Sequence, residues 1–159
     1  MYTRRNFLIL AALTGAALVA GRQWVLASPT PVRVTRDPNC GCCTAWADHL
    51  RQNAFAVTVV DDPAINRVKA RLGVPHDLTS CHTAEVEGYV IEGHVPAGAI
   101  RKLLSQRPAI TGLSVPGMPV GSPGMEVEGR SPDTYDVIAF GPAGNSVFAR
   151  YEGTKELSL

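Results

Sequence analysis

The sequence predicts an α/β domain, on three observations. Short strand-like runs stand at 31–36 and 55–60, apolar residues recur with helical spacing at 42–52 and 65–72, and turn or capping residues lie at the junctions. Strands that alternate with helices call for crossover connections between parallel strands. A chain of 159 residues with 45% hydrophobic and 18% charged side chains suits a single core.

The elements follow in order. Pro31 to Arg36 alternates apolar and polar residues, the period of a half-buried strand, and Asp37-Pro38-Asn39 ends it with turn chemistry. Ala45, Trp46, His49 and Leu50 recur on one helical face, and Asn53 closes a helix over 42–52. Phe55 to Val60 is rich in β-branched residues. Asp61-Asp62-Pro63 then caps a second helix that runs through Ile65, Val68 and Leu72 to Gly73. His76 to Thr83 reads as a polar loop, Glu85 to Ile91 as two short strands broken at Gly88, and the residues after Pro96 as a helix to Gln106. Strand, helix, strand, helix, two strands and helix is the order of a thioredoxin-like domain.

Beyond Arg107 the chain carries more than such a domain needs. A Gly/Pro-rich loop spans 112–124, and the runs Tyr135 to Phe140 and Ser146 to Tyr151 form a β-hairpin around 141–145. The predicted organisation is therefore a thioredoxin-like core over 28–106 and a C-terminal loop and β-hairpin extension over 107–159, packed on the same domain. No repeat or low-complexity tract appears.

Residues 1–27 read as a cleavable export signal. Arg4 and Arg5 precede an apolar run from Phe7 to Ala20, too short to span a membrane comfortably, and Val25-Leu26-Ala27 places cleavage before Ser28. Thr3-Arg4-Arg5-Asn6-Phe7-Leu8 resembles the twin-arginine export motif, so the expected location is the periplasm, with no membrane anchor after cleavage. Removing the signal leaves 12 basic against 14 acidic residues, a net charge of −2, which argues against nucleic acid as a partner.

The chemistry concentrates in Cys40-Gly41-Cys42-Cys43. The outer pair has the C-x-x-C spacing of thiol redox centres, and a helix N-terminus favours the thiolate, the form that attacks disulfides and binds metals. Three thiolates within one turn repel one another unless a soft cation joins them, and thiolate sulfur selects Cu(I), zinc or iron–sulfur clusters. Zinc sites usually present two separated pairs of ligands, whereas here the pattern is three plus one. An even number of cysteines in an exported chain also allows two disulfides, although the neighbours Cys42 and Cys43 cannot pair comfortably with each other. In the thioredoxin order Cys81 lies in the loop facing the first helix, with His82 beside it. His94 precedes the third helix, while His49 and His76 read as structural. Met118 and Met125 stand in two Pro-Gly-Met repeats whose prolines and glycines fix the loop path, and their thioethers suit Cu(I).

Four stretches resemble the CopG-type copper-resistance proteins of Gram-negative bacteria, long described as a domain of unknown function. They are Asp37-Pro38-Asn39-Cys40-Gly41-Cys42-Cys43, Ser80 to Ala84, Gly88 to Ala97, and Pro116 to Glu126. The resemblance implies a periplasmic copper site in which Cys40, Cys42, Cys43 and Cys81 are the metal-site thiols, with His82, His94, Met118 and Met125 as further candidate donors. Cu(I) is the favoured ion, and four sulfurs near one point exceed the needs of one ion. It also implies an oxidoreductase role that interconverts Cu(I) and Cu(II), with a periplasmic efflux or chaperone protein as partner. Two other classes stay open: a thiol–disulfide oxidoreductase using Cys40 and Cys43, and a passive copper carrier.

Overall fold

The computed structural model describes residues 28–159, so the export signal and its cleavage site lie outside the described residues. Three helices and one eight-stranded sheet make a mixed α/β structure. The elements are β1 (Thr30–Arg36), α1 (Gly41–Gln52), β2 (Phe55–Asp61), α2 (Ile65–Arg71), β3 (His82–Val86), β4 (Tyr89–Gly93), α3 (Ala97–Gln106), β5 (Gly112–Val115), β6 (Thr134–Gly141), β7 (Gly144–Glu152) and β8 (Lys155–Leu157), with a 3-10 turn at His76–Leu78. The sheet order is β2-β1-β3-β4-β5-β6-β7-β8. β1 and β2 are parallel, as are β4 and β5, and every other neighbouring pair is antiparallel.

The sheet is covered on two faces. Trp46 and Leu50 of α1 join Ile100 and Leu103 of α3 over Val34, Ala84, Ile91 and Leu113 in the larger core. Val74 and Leu78 pack with Val90 and Phe140 in a smaller cluster that β4 supplies from its opposite face. All five residues of β4 are buried, as expected for a central strand covered on both sides. Among the described residues no helix is long and apolar enough to cross a membrane.

Three differences from the sequence expectation share a cause in strand pairing. β3 begins at His82, inside the predicted polar loop, because His82 and Thr83 pair with Arg36 and Thr35 of β1 and are buried. Gly112–Val115, expected in a loop, is a strand between β4 and β6. The hairpin turn is tighter than predicted, since Gly141 pairs with Gly144. Partners distant in sequence impose extended structure on runs too short or too polar to announce it.

The pairing brings the ends of three elements together. β1 ends at Arg36 beside the start of β3, and Glu92 near the end of β4 faces Thr83. The loops leading to Cys40, Cys81 and His94 therefore emerge at the same end of these three internal strands.

Candidate metal centre

The first cysteine turn is fastened before the helix begins. Asp37 accepts hydrogen bonds from the backbone N–H groups of Asn39 at 2.8 Å and Cys40 at 3.0 Å, so the chain reverses directly after β1. The Arg36 guanidinium donates to the Cys40 carbonyl at 3.0 Å, to Thr44 Oγ1 at 2.5 Å and to Asp61 at 2.8 Å. Cys40 becomes the N-cap of α1, and Cys42 and Cys43 fall in its first turn.

Cys40 and Cys43 are joined by a disulfide, while Cys42 and Cys81 are free. Cys42 Sγ lies 3.6 Å from Cys40 Sγ and 3.7 Å from Cys81 Sγ. The four sulfurs lie within 4.8 Å of one another, as do one donor atom each from Cys81, His82 and His94. Cys81 thus belongs to two overlapping donor groups. Cys43 is fully buried, and Cys40, Cys42 and Cys81 are partly exposed.

The histidines are arranged by their second nitrogens. His94 Nδ1 donates to the Pro123 carbonyl at 2.8 Å, which leaves the lone pair of Nε2 facing Cys81 Sγ at 3.1 Å. His82 places Nδ1 3.2 Å from Cys81 Sγ, and its Nε2 is buried without a hydrogen-bond partner. The His82 ring lies 4.3 Å from the Trp46 ring and meets the His94 ring edge-on at 5.1 Å. Trp46 is itself tied to the Val95 carbonyl at 3.0 Å.

Burial sets the charge states. It holds His82 well below the ordinary imidazole value, helped by His94 and Lys69, and it also lowers His94. Both rings are therefore neutral, the form that binds metals. Burial, followed by the neighbouring Cys42, pushes the Cys81 thiol up to about 12. Without a cation Cys81 is protonated, and metal binding must release that proton.

The Pro-Gly-Met segment lies across this group. Ser80 Oγ donates to the Gly117 carbonyl at 2.5 Å, and Pro123 bonds His94 as described. Gly124 has φ +85°, and a Cβ there would come within 2.7 Å of Trp46 N and 3.2 Å of the Cys42 carbonyl, so only glycine lets the segment lie on α1. Met118 is 52% exposed and Met125 is half-buried. His49 stands apart, since its Nε2 accepts the Ala97 N–H at 3.2 Å at the start of α3; burial lowers its pKa. His76 lies in the 3-10 turn beyond α2.

Sequence reasoning missed the polar group behind Cys81. Glu92 is fully buried and accepts from Lys69 Nζ at 2.5 Å, Thr83 Oγ1 at 2.5 Å and the Ser80 N–H at 2.6 Å. Its signal was a carboxylate in the apolar strand Tyr89-Val90-Ile91-Glu92-Gly93.

Residues 78–125 match the profile of a family described as protein of unknown function, DUF411. Two solved structures named copper resistance protein CopG are similar over nearly their whole length. Form 2 is 48% identical with a TM-score of 0.72, the match covering 77% of this chain and 98% of that one. Form 1 is 48% identical with a TM-score of 0.73, covering 79% and 99%. The chain belongs to the CopG family. The comparison with curated proteins returned no match. The segment matched by the DUF411 profile runs from the turn before Cys81, through His82 and His94, to Met125, so it contains the sheet side of the donor group and the segment lying across it.

Proposed function

We propose that this CopG-family chain is an exported copper-binding protein that serves copper resistance or homeostasis. One observation carries the reading: four sulfurs lie within 4.8 Å of one another, and two neutral imidazoles adjoin Cys81. Soft thiolate donors favour Cu(I), and the raised Cys81 thiol needs a cation to ionise. The name copper resistance protein carried by the 48%-identical relatives supports the same cargo. With the Cys40–Cys43 bond reduced by an external dithiol, Cys40, Cys42, Cys43 and Cys81 are the proposed thiolate ligands, with His82 and His94 completing the set and Met118 and Met125 as thioether donors. More than one Cu(I) ion fits a set this rich in sulfur. Interconversion of Cu(I) and Cu(II), residence in the periplasm, and exchange with an efflux or chaperone protein belong to this proposal.

The fold reading extends in the same way. The order β2-β1-β3-β4, with a parallel β1–β2 pair and antiparallel β3 and β4, supports a thioredoxin-like core over 28–106. Residues 107–159 are then an extension that continues the sheet through β5 to β8.

A second reading is thiol–disulfide exchange, favoured by the Cys40–Cys43 bond with the free Cys42 sulfur 3.6 Å from Cys40. Attack by an external dithiol on this bond forms a mixed disulfide and frees one cysteine. The second external thiol then releases the other, oxidising the dithiol.

Copper-to-protein stoichiometry of the reduced protein, with and without Cys81→Ser, separates the two. The copper reading expects tight Cu(I) binding that collapses in the variant. Weak binding in both, together with oxidation of an external dithiol by the Cys40–Cys43 bond, overturns it.

A further inference from the structure

We propose that Lys69, Glu92 and Gly93 are positioning residues for the metal centre, seating Ser80 so that the neighbouring Cys81 meets His94. This deepens the copper reading and rests on it for the identity of the ion.

The geometry couples two dipeptides. Ser80 immediately precedes Cys81, and Glu92-Gly93 immediately precedes His94, so what joins the first members sets the spacing of the second. Glu92 Oε1 accepts the Ser80 N–H at 2.6 Å. Gly93 has φ +71°, and a Cβ there would stand 2.6 Å from both Ser80 Cβ and Oγ and 2.6 Å from the Val115 carbonyl, so Ser80 occupies the space a side chain would take. The Ser80 hydroxyl reaches the Gly117 carbonyl at 2.5 Å, which links the same residue to the segment lying across the site. On the far side of the clip, Cys81 Sγ is 3.1 Å from His94 Nε2.

Lys69 explains how a carboxylate is kept there. The side chains of Lys69 and Glu92 are 4% and 0% exposed and 2.5 Å apart, and Thr83 accepts from Lys69 at 2.9 Å while donating to Glu92 at 2.5 Å. A buried ion pair is weak as a source of stability, because desolvation offsets its attraction and apolar replacements are commonly neutral or better. Its effect here is geometric: α2, β3, β4 and the Cys81 loop converge on two carboxylate oxygens. Partners of this kind orient metal ligands without touching the metal.

Two double variants separate geometry from stability. Lys69→Met/Glu92→Leu replaces the pair with apolar groups and removes the acceptor for Ser80. Lys69→Met/Glu92→Gln removes the charges but keeps a side-chain oxygen for the Ser80 N–H. Competition with a Cu(I) chelator, using reduced full-length mature protein, is expected to weaken by about 10–100-fold in the leucine variant and to recover in the glutamine variant. In metal-free protein, iodoacetamide should alkylate Cys81 faster in the leucine variant alone, read by peptide mass spectrometry. Equal alkylation and equal competition in all three proteins overturn the proposal, as does equal loss in both variants. If the variants fail to fold, amide exchange in the wild type decides: Ser80 should exchange as slowly as the β3 amides, and exchange at loop rates overturns the clip. A wild type that binds no Cu(I) sinks the copper reading, while the alkylation order still judges the clip.

Discussion

On the helix side of the centre, three cysteines stand at the N-cap and first turn of α1, two of them partly exposed and two joined to each other. On the sheet side, Cys81 stands between two fully buried histidines whose neutral state and orientation are set by burial, Trp46 and the Pro123 carbonyl. The helix side can change its covalent state by breaking one bond between residues three apart. The sheet side cannot move without disturbing buried hydrogen bonds at Glu92 and Ser80. The difference divides the labour: the helix side sets how many sulfurs are free, and the sheet side sets where they must meet.

The severest test of that division is Cys81→Ser, because Cys81 alone belongs to both donor groups. Its loss should weaken Cu(I) retention beyond the about 10–100-fold typical of losing a supporting partner, measured by chelator competition. A smaller loss than in Cys42→Ser would mean that the sheet side is not the fixed half.

Oxidation should come next in size. The Cys40–Cys43 bond withdraws two of four sulfurs, so oxidised protein should hold less copper than reduced protein by direct metal analysis. Folding stability should change far less, since so short a closed loop constrains the unfolded chain less than the 15-residue loop for which about 3 kcal/mol is expected. A large fall in Tm with unchanged copper content would reverse the assignment of roles.

A milder effect follows from the imidazoles. Burial depresses the pKa values of His82, His94 and His49, so the unfolded chain binds protons that the folded chain refuses. Metal-free protein should therefore keep their contribution at neutral pH and lose it as pH falls below about 6.5 toward the depressed folded values. Cys81 acts at the other end: its raised thiol makes stability fall as pH climbs from the ordinary thiol range toward about 12. Urea denaturation across pH measures both, and a profile flat between pH 5 and 7 would show the sheet side open to water.

The smallest change is expected from Met118→Leu and Met125→Leu, each under about 1.5 kcal/mol in stability because volume and apolarity are kept. As thioether donors they should still weaken Cu(I) competition while leaving zinc binding unchanged. Unchanged Cu(I) competition in both returns these residues to packing.

Elements with a clear period were legible in the sequence. Trp46, His49 and Leu50 announced α1, and the run from Pro96 to Gln106 announced α3. The Cys-Gly-Cys-Cys turn and Cys81 stood out because thiols are scarce, and His94 because it precedes Pro96 at a helix start. What stayed hidden depends on pairing or on depth. Neither the four-residue β5 nor the three-residue β8 carries a readable period. His82 reads as part of a polar loop, whereas β1 pairs with it and buries it, and the burial of Lys69 depends on a partner 23 residues away in β4. A covalent link between Cys40 and Cys43 was compatible with the spacing but not required by it.

Trp46 gives the centre an optical voice. Of the two tryptophans in the sequence, Trp24 lies outside the described residues and Trp46 lies within them. That indole is fully buried and lies 4.3 Å from the His82 ring. Any ion taken up by the histidine sits beside the only tryptophan among the described residues. In protein prepared without residues 1–27, loading, release and oxidation at the centre are expected to register, in real time and without a label, in the emission of that one residue.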